Sequence, residues 1–291
     1  MSDWGKGVNN NIGWGQGANN DIGWGSIYAD SNSGLTLLSS GGSGYNANYQ
    51  AVIDYANSES LTLPNSTIQG LQNDFMVSIN PFFNKFKALN LWAGEAGLGG
   101  FKSIDFARLS KVDYYNSPLL LANGIKGNGT SSYVDLKFDA DANTTVDSVS
   151  FGFFAPNGIV RNSVTKSVLG GRNSNNFGLL YILTNNINTD IFITANTPLR
   201  TVNTTITDEL ISVTNNGTNL ILRKNETQLD ITNAGADLRD SASVFLLARN
   251  NNGTAIQLID DVISLNFVAD ELTASELGIL SNATKTYLSE I

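Results

Sequence analysis

Two stretches decide the architecture: Tyr133-Val134-Asp135-Leu136-Lys137-Phe138 and Val149-Ser150-Phe151-Gly152-Phe153. In both, apolar residues fall on every second position, and successive side chains of an extended chain point to opposite faces. Each stretch therefore reads as a half-buried β-strand. Asn216-Gly217, between Ile211-Ser212-Val213 and Leu220-Ile221-Leu222, adds a hairpin with a left-handed turn. Asn252-Gly253 repeats the device between Val244-Phe245-Leu246-Leu247 and Ile256-Gln257-Leu258-Ile259. Regular strands with this punctuation predict a two-sheet, jelly-roll-like sandwich over residues 101–291.

The period changes on the N-terminal side of this region. Tyr49, Val52, Ile53 and Ala56 lie at helical spacing, as do Ile68, Leu71, Phe75, Met76 and Ile79, until Asn80-Pro81 interrupts them. Pro64-Asn65-Ser66 marks the start of the second helix. Phe82, Phe83, Phe86 and Leu89 suggest a third short helix closing near Leu91–Gly94, so residues 47–93 are expected to form a small helical unit. At the other end, Thr273-Ala274-Ser275-Glu276 is a capping box ahead of Leu277, Leu280, Tyr287, Leu288 and Ile291, a terminal helix to lie on the sheet.

The chain opens on a ten-residue repeat. Trp4-Gly5-Lys6-Gly7-Val8-Asn9-Asn10-Asn11-Ile12-Gly13 is followed by Trp14-Gly15-Gln16-Gly17-Ala18-Asn19-Asn20-Asp21-Ile22-Gly23, and a third copy starts at Trp24-Gly25. So short a repeat cannot bury its own indoles. Residues 1–28 therefore read as an anchoring arm whose Trp4, Trp14, Trp24, Ile12 and Ile22 are covered by other subunits, the alternative being a flexible Gly/Asn leader. Ser/Gly-rich residues 29–46 read as a linker.

Composition limits the chemistry. The net charge of −9 disfavours nucleic acid and anionic membranes as partners. No 18-residue apolar stretch and no signal-peptide pattern is present, so membrane insertion is not expected, and a route out of the cell would be as part of an assembly. Cysteine and histidine are both absent, which removes thiol chemistry, Ser-His catalysis and His-ligated metals. Carboxylate-pair hydrolysis remains. The seven glutamates (Glu59, Glu95, Glu209, Glu226, Glu271, Glu276 and Glu290) show no Glu-x-Asp-x-x-Glu pattern. Asp139, Asp141, Asp147 and the Asp260-Asp261 pair read as turn formers rather than a calcium site. Eight Asn-x-Ser/Thr sequons are a by-product of an Asn-rich composition. The expectation is a binding or structural protein, not an enzyme, with no cofactor and no metal.

Gly127-Asn128-Gly129-Thr130-Ser131-Ser132-Tyr133-Val134-Asp135-Leu136, with Ser150-Phe151-Gly152-Phe153, the Asn216-Gly217 hairpin and Leu272-Thr273-Ala274-Ser275-Glu276-Leu277, resembles laminin-G-like, concanavalin A-like sandwich domains. The helical stretch Tyr49–Trp92 and the Trp-Gly leader resemble structural proteins of bacteriophages infecting Bacteroidota. The resemblance implies a virion protein, a head or tail fibre or decoration component. Its implied partners are other capsid or tail proteins, copies of itself in a trimer, and a host-surface glycan. A free lectin of a bacterial surface system is the alternative, and a polysaccharide-cleaving enzyme a third. Asn173, Asn175, Asn176 and Phe177, with Asn185-Asn186-Ile187-Asn188, mix amides with apolar side chains and are the candidate glycan contacts.

Overall fold

The computed structural model describes residues 27–30, 34–37, 44–145, 147–159, 166–173, 176–177, 181–184, 189–192, 198–202, 207–233 and 241–291. Side chains are described for 44–145, 147–159, 166–171, 207–233 and 241–291. The chain divides into two compact units, Met1–Tyr45 and Asn46–Ile291. In the first, Ile27–Asp30 and Gly34–Leu37 pair antiparallel, so the stretch expected to be a linker contains strand.

The second unit is mainly β, and its sandwich strands, in chain order, are β1 (Phe86–Leu91), β2 (Asp113–Tyr115), β3 (Tyr133–Asp135), β4 (Val149–Ala155), β5 (Leu169–Asn173), β6 (Asn176–Phe177), β7 (Glu209–Asn215), β8 (Asn219–Lys224), β9 (Thr227–Asn233), β10 (Phe245–Leu246), β11 (Arg249–Asn251), β12 (Thr254–Ile256) and β13 (Leu265–Ala269). Among the described residues, the first sheet runs β9-β8-β7-β4-β13-β1 and the second β12-β11-β5-β10-β3-β2, with β6 paired to β5. One hydrophobic core lies between them. Val149, Phe151, Phe153, Val213, Leu222 and Val268 of the first sheet share it with Val134, Leu169 and Leu246 of the second.

The first sheet is covered on both faces. Alternate residues of β4, Ser150 and Phe154, are also fully buried, and Ser150 Oγ bonds Thr214 Oγ1 at 3.0 Å and accepts Leu272 N at 2.8 Å. Helices α1 (Ala47–Ser58), α2 (Ser66–Ile79) and α3 (Ala274–Glu290) form a further layer. Most of their apolar stripes are buried as the spacing predicts, with Leu71, Leu288 and Ile291 half-buried. A polar chain joins them: Tyr49 Oη donates to Gln72 Oε1 at 2.8 Å, Gln72 Nε2 to Tyr287 Oη at 3.3 Å, and Tyr287 Oη to the Ala93 carbonyl at 3.1 Å. Ser281 Oγ of α3 reaches Asn225 Oδ1 at the β8–β9 turn, 2.6 Å away.

The third helix is not formed. After a 3-10 turn at Asn80–Lys85, the chain enters the sheet as β1, antiparallel to β13 with Leu89 opposite Phe267 and Leu91 opposite Leu265. A short apolar run fits either period, and here pairing with β13 buries both of its faces. The six-stranded sheet thus begins ahead of residue 101.

Candidate functional site

The outer face of the second sheet carries an aromatic ladder across three adjacent strands. Tyr115 on β2 and Tyr133 on β3 are register partners, with parallel rings 4.7 Å apart and 1° between their planes. Phe245 on β10 stacks on the other side of Tyr133 at 4.6 Å. Rings on neighbouring strands meet this way because their side chains stand perpendicular to the sheet. The ladder grades from inside to outside: Phe245 is 4% exposed and Tyr115 is 40% exposed. Since β2 ends the order of its sheet, the second ring face of Tyr115 lies at a sheet edge, where a flat apolar ligand surface can stack.

Carboxylates flank the rings. Asp113 and Asp135 are register partners on the same face, two residues along from Tyr115 and Tyr133. Lys137 Nζ lies 2.8 Å from Asp113 Oδ2. Asp135 Oδ1 accepts the Ser243 hydroxyl and, at 2.8 Å, the Lys137 backbone N–H. Burial, then the neighbouring Tyr115 and Asp135, push the Tyr133 phenol above its usual value, so it stays a neutral donor.

This end of the sheet is held in unusual backbone conformations. Lys137 has φ +50°, and Asn116 and Ser117, just after β2, have φ +53° and +51°. Left-handed conformations of non-glycine residues cost on the order of 1 kcal/mol each and persist where surroundings enforce them. For Lys137 the enforcement is Arg108. Its guanidinium donates to the Leu136 and Lys137 carbonyls at 2.6 and 2.8 Å, pairs with buried Asp105 at 2.7 Å and lies over the Phe138 ring. Asn116 Nδ2 donates to the Ser131 carbonyl at 2.9 Å, and Asn128 Oδ1 accepts from the backbone of Thr130, Ser131 and Ser132. The loop leading into Tyr133 is thereby closed on itself.

The other expected sites fare differently. Asp260 and Asp261 face Lys166, whose Nζ is 2.6 Å from Asp260 Oδ1 and 3.5 Å from Asp261 Oδ2, so an ammonium occupies the place a cation would take. Asp139 Oδ1 caps a one-turn helix by accepting Ala142 N at 3.1 Å. Among the described residues, no group of three or more acidic side chains is placed to hold a metal. Trp4, Ile12, Trp14, Ile22 and Trp24 lie outside the described residues, as do Asn175 and residues 185–188. Asn173, Asn176 and Phe177 are described in backbone only: Asn173 pairs with Asn176, and Arg172 with Phe177. A groove between α2 and α3 has Leu71, Phe75, Ile279, Ala283 and Tyr287 in its lining beside polar residues that include Asp74 and Glu290.

Sequence reasoning had part of the ladder in hand, because Tyr133, Asp135 and Lys137 are the outward set of the deciding strand. It missed Tyr115, Asp113 and Phe245, whose strands of two or three residues are too short to show a period.

No protein-family model matches the sequence, and neither does any curated protein. Solved structures do match in fold. A mutant of Trypanosoma rangeli sialidase displaying trans-sialidase activity aligns over 75% of this chain and 39% of its own, with a TM-score of 0.50 and 12% identity. Botulinum neurotoxin type C, in a structure concerned with its interaction with two ganglioside molecules, aligns over 71% of this chain and 53% of its own (TM-score 0.53, 12% identity). The binding domain of botulinum neurotoxin DC in complex with SialylT aligns over 69% and 51% (TM-score 0.51, 13% identity). These likenesses fix the fold class. The protein has a mainly β, sandwich-like fold of the kind found in sialidase and lectin-type chains, and it spans about two fifths to one half of the chains it matches. They also correct the expectation that the chain is not an enzyme: the fold occurs in a sialidase as well as in binding domains, so it is compatible with either. Among carboxylates, only the glutamate spacing speaks against catalysis in the sequence, whereas folding brings two aspartates, Asp113 and Asp135, together on one face.

Proposed function

We propose that the unit Asn46–Ile291 is a glycan-binding sandwich of the concanavalin A-like jelly-roll type, with its ligand seated on the Tyr115–Tyr133–Phe245 ladder. The observation that carries this reading is the exposed tyrosine at the end of a three-ring stack, with carboxylates beside it. Sugars present apolar ring faces and hydroxyls together, and their sites pair an aromatic plane with hydrogen-bond acceptors. Botulinum binding domains that capture SialylT or N-acetylneuraminic acid, at TM-scores of 0.51 and 0.50, support the reading at the level of fold. The test is a glycan array probed with the full chain. Tyr115→Ala is expected to abolish binding, whereas Phe177→Ala and Asn175→Ala leave it unchanged. The reverse pattern would move the site to the 173–177 segment.

The biological setting we infer is a virion, with the sandwich as part of a head or tail fibre or a decoration component, displayed as a homo-oligomer, a trimer in the resembling class. The ten-residue Trp-Gly repeat supports it, since Trp4, Trp14 and Trp24 need a surface supplied by other chains. Mass spectrometry and immunogold labelling of purified particles test this directly. A protein absent from every particle would be a free lectin instead.

A further inference from the structure

We infer that the ladder selects uncharged, hydroxyl-rich sugars and discriminates against sialylated ones, an inference that rests on the glycan-binding reading above. It follows from the hydrogen-bond state of the two flanking carboxylates. Asp113 uses Oδ2 for Lys137, and Asp135 uses Oδ1 for both Ser243 and the Lys137 N–H. Among the described residues each is left with its other oxygen, Asp113 Oδ1 and Asp135 Oδ2, and the two residues sit opposite each other on one face. Ionised carboxylate oxygens only accept, so the pair calls for two donors held a strand spacing apart beside an aromatic plane. Separate hydroxyls of a hexose stacked on Tyr115 are donors of this kind, and hydrogen bonds to a charged acceptor are the stronger kind.

A sugar carboxylate meets the opposite situation. It brings a second acceptor-only group with the same charge as Asp113 and Asp135. Lys137, the cation that these carboxylates face, is already paired with Asp113 at 2.8 Å. Arg108 is held by Asp105 and by the Leu136 and Lys137 carbonyls, one bond from each of its three nitrogens. A sialic acid carboxylate must therefore displace Asp113 from Lys137 or lie beside Asp135 without a counter-ion. Like charges a few ångströms apart at a half-exposed surface weaken binding by about tenfold. The SialylT-binding neighbour shares the fold, but selectivity resides in the site.

The test compares a galactose-terminated oligosaccharide with the same compound carrying a terminal sialic acid, each titrated into the full chain by calorimetry. The neutral compound is expected to bind at least about tenfold more tightly. Asp113→Asn frees Lys137 and removes one like charge, but it also replaces a charged acceptor by a neutral one, so it should tighten the sialylated compound several-fold, weaken the neutral one and narrow the gap between them. Should that variant fold poorly, a salt series on the wild type serves: raising ionic strength should narrow the gap between the two sugars by weakening the repulsion. Equal or tighter binding of the sialylated compound by the wild type overturns the selectivity and leaves the glycan-binding reading standing. Binding of either sugar that Tyr115→Ala does not alter, or no binding of either, overturns that reading and the selectivity with it.

Discussion

Gly152 lies in the middle of β4 because nothing larger fits. A Cβ there would sit 2.2 Å from the Ile211 carbonyl oxygen and 3.0 Å from Phe267 Cε1, and the first of these is backbone that cannot rotate away. Gly152→Ala is expected to destabilise the sandwich by about 3 kcal/mol, read as a lower urea midpoint, since overpacking forces the strands apart. Eleven residues ahead of the ladder's edge strand, another unusual group sets a pH dependence. Lys102 is buried, and among the described residues its ammonium donates only to the Leu121 and Gly94 carbonyls, at 2.5 and 3.4 Å. Burial lowers its pKa to about 8 from 10.5. Below pH 8 both folded and unfolded chains carry this proton. Between about 8 and 10.5 the folded chain has lost it while the unfolded chain keeps it, so stability rises with pH across that window. Above pH 10 the buried phenols of Tyr114 and Tyr287, pushed up by desolvation, hold protons that the unfolded chain releases, and stability falls again. Melting temperatures across pH 7–11 should therefore peak near 10, and Lys102→Met should flatten the rising limb. A wild-type profile flat from 8 to 10 would contradict the assignment.

The helices show how far local signals carry. Asn65 caps α2 by accepting Ile68 N at 3.1 Å, and Thr273 caps α3 in a complete box, its hydroxyl accepting Glu276 N while Glu276 accepts Thr273 N. Both starts are legible in the sequence because the capping bond itself joins residues three apart. Thr273→Ala is expected to cost about 1 kcal/mol, with the loss visible as faster amide exchange in the first turn of α3. The Asn216-Gly217 turn was equally local: Gly217 has φ +81°, and β7 and β8 pair across it. The second turn lies where Asn252-Gly253 marks it, at φ +52° and +85°, but joins the shorter strands β11 and β12 rather than the flanking apolar runs. Phe82–Leu91 went the other way. Its aromatic spacing suits a helix, yet β1 pairs along β13 and the Trp92 indole donates to Asn266 Oδ1 at 2.6 Å. Which structure an apolar decapeptide adopts depends on who its neighbour is, and that neighbour is some 175 residues away.

At the scale of the molecule, the proposal that residues 1–28 attach the sandwich to a particle makes a separable prediction. Deleting them should leave the unit Asn46–Ile291 with an unchanged far-UV circular dichroism spectrum and thermal midpoint, because that unit has its own core. The truncated protein should no longer sediment with the particle. Copurification despite the deletion would rule the anchor out. The sequence by itself determined the mainly β class, the strands around Val134 and Phe151, the helical faces of α1, α2 and α3 and the caps of α2 and α3. Periodicity and capping are properties of ten or so consecutive residues, and burying one face of each element leaves few alternatives. Only the tertiary structure decided that β1 completes the first sheet and that Asp113 and Asp135 face each other. It alone stacked Tyr115, Tyr133 and Phe245 into one ladder from strands spread over 130 residues. Such a site is made by sheet register, which is fixed by which strands hydrogen-bond and how their twist stacks the rings, and no single stretch of sequence encodes that pairing.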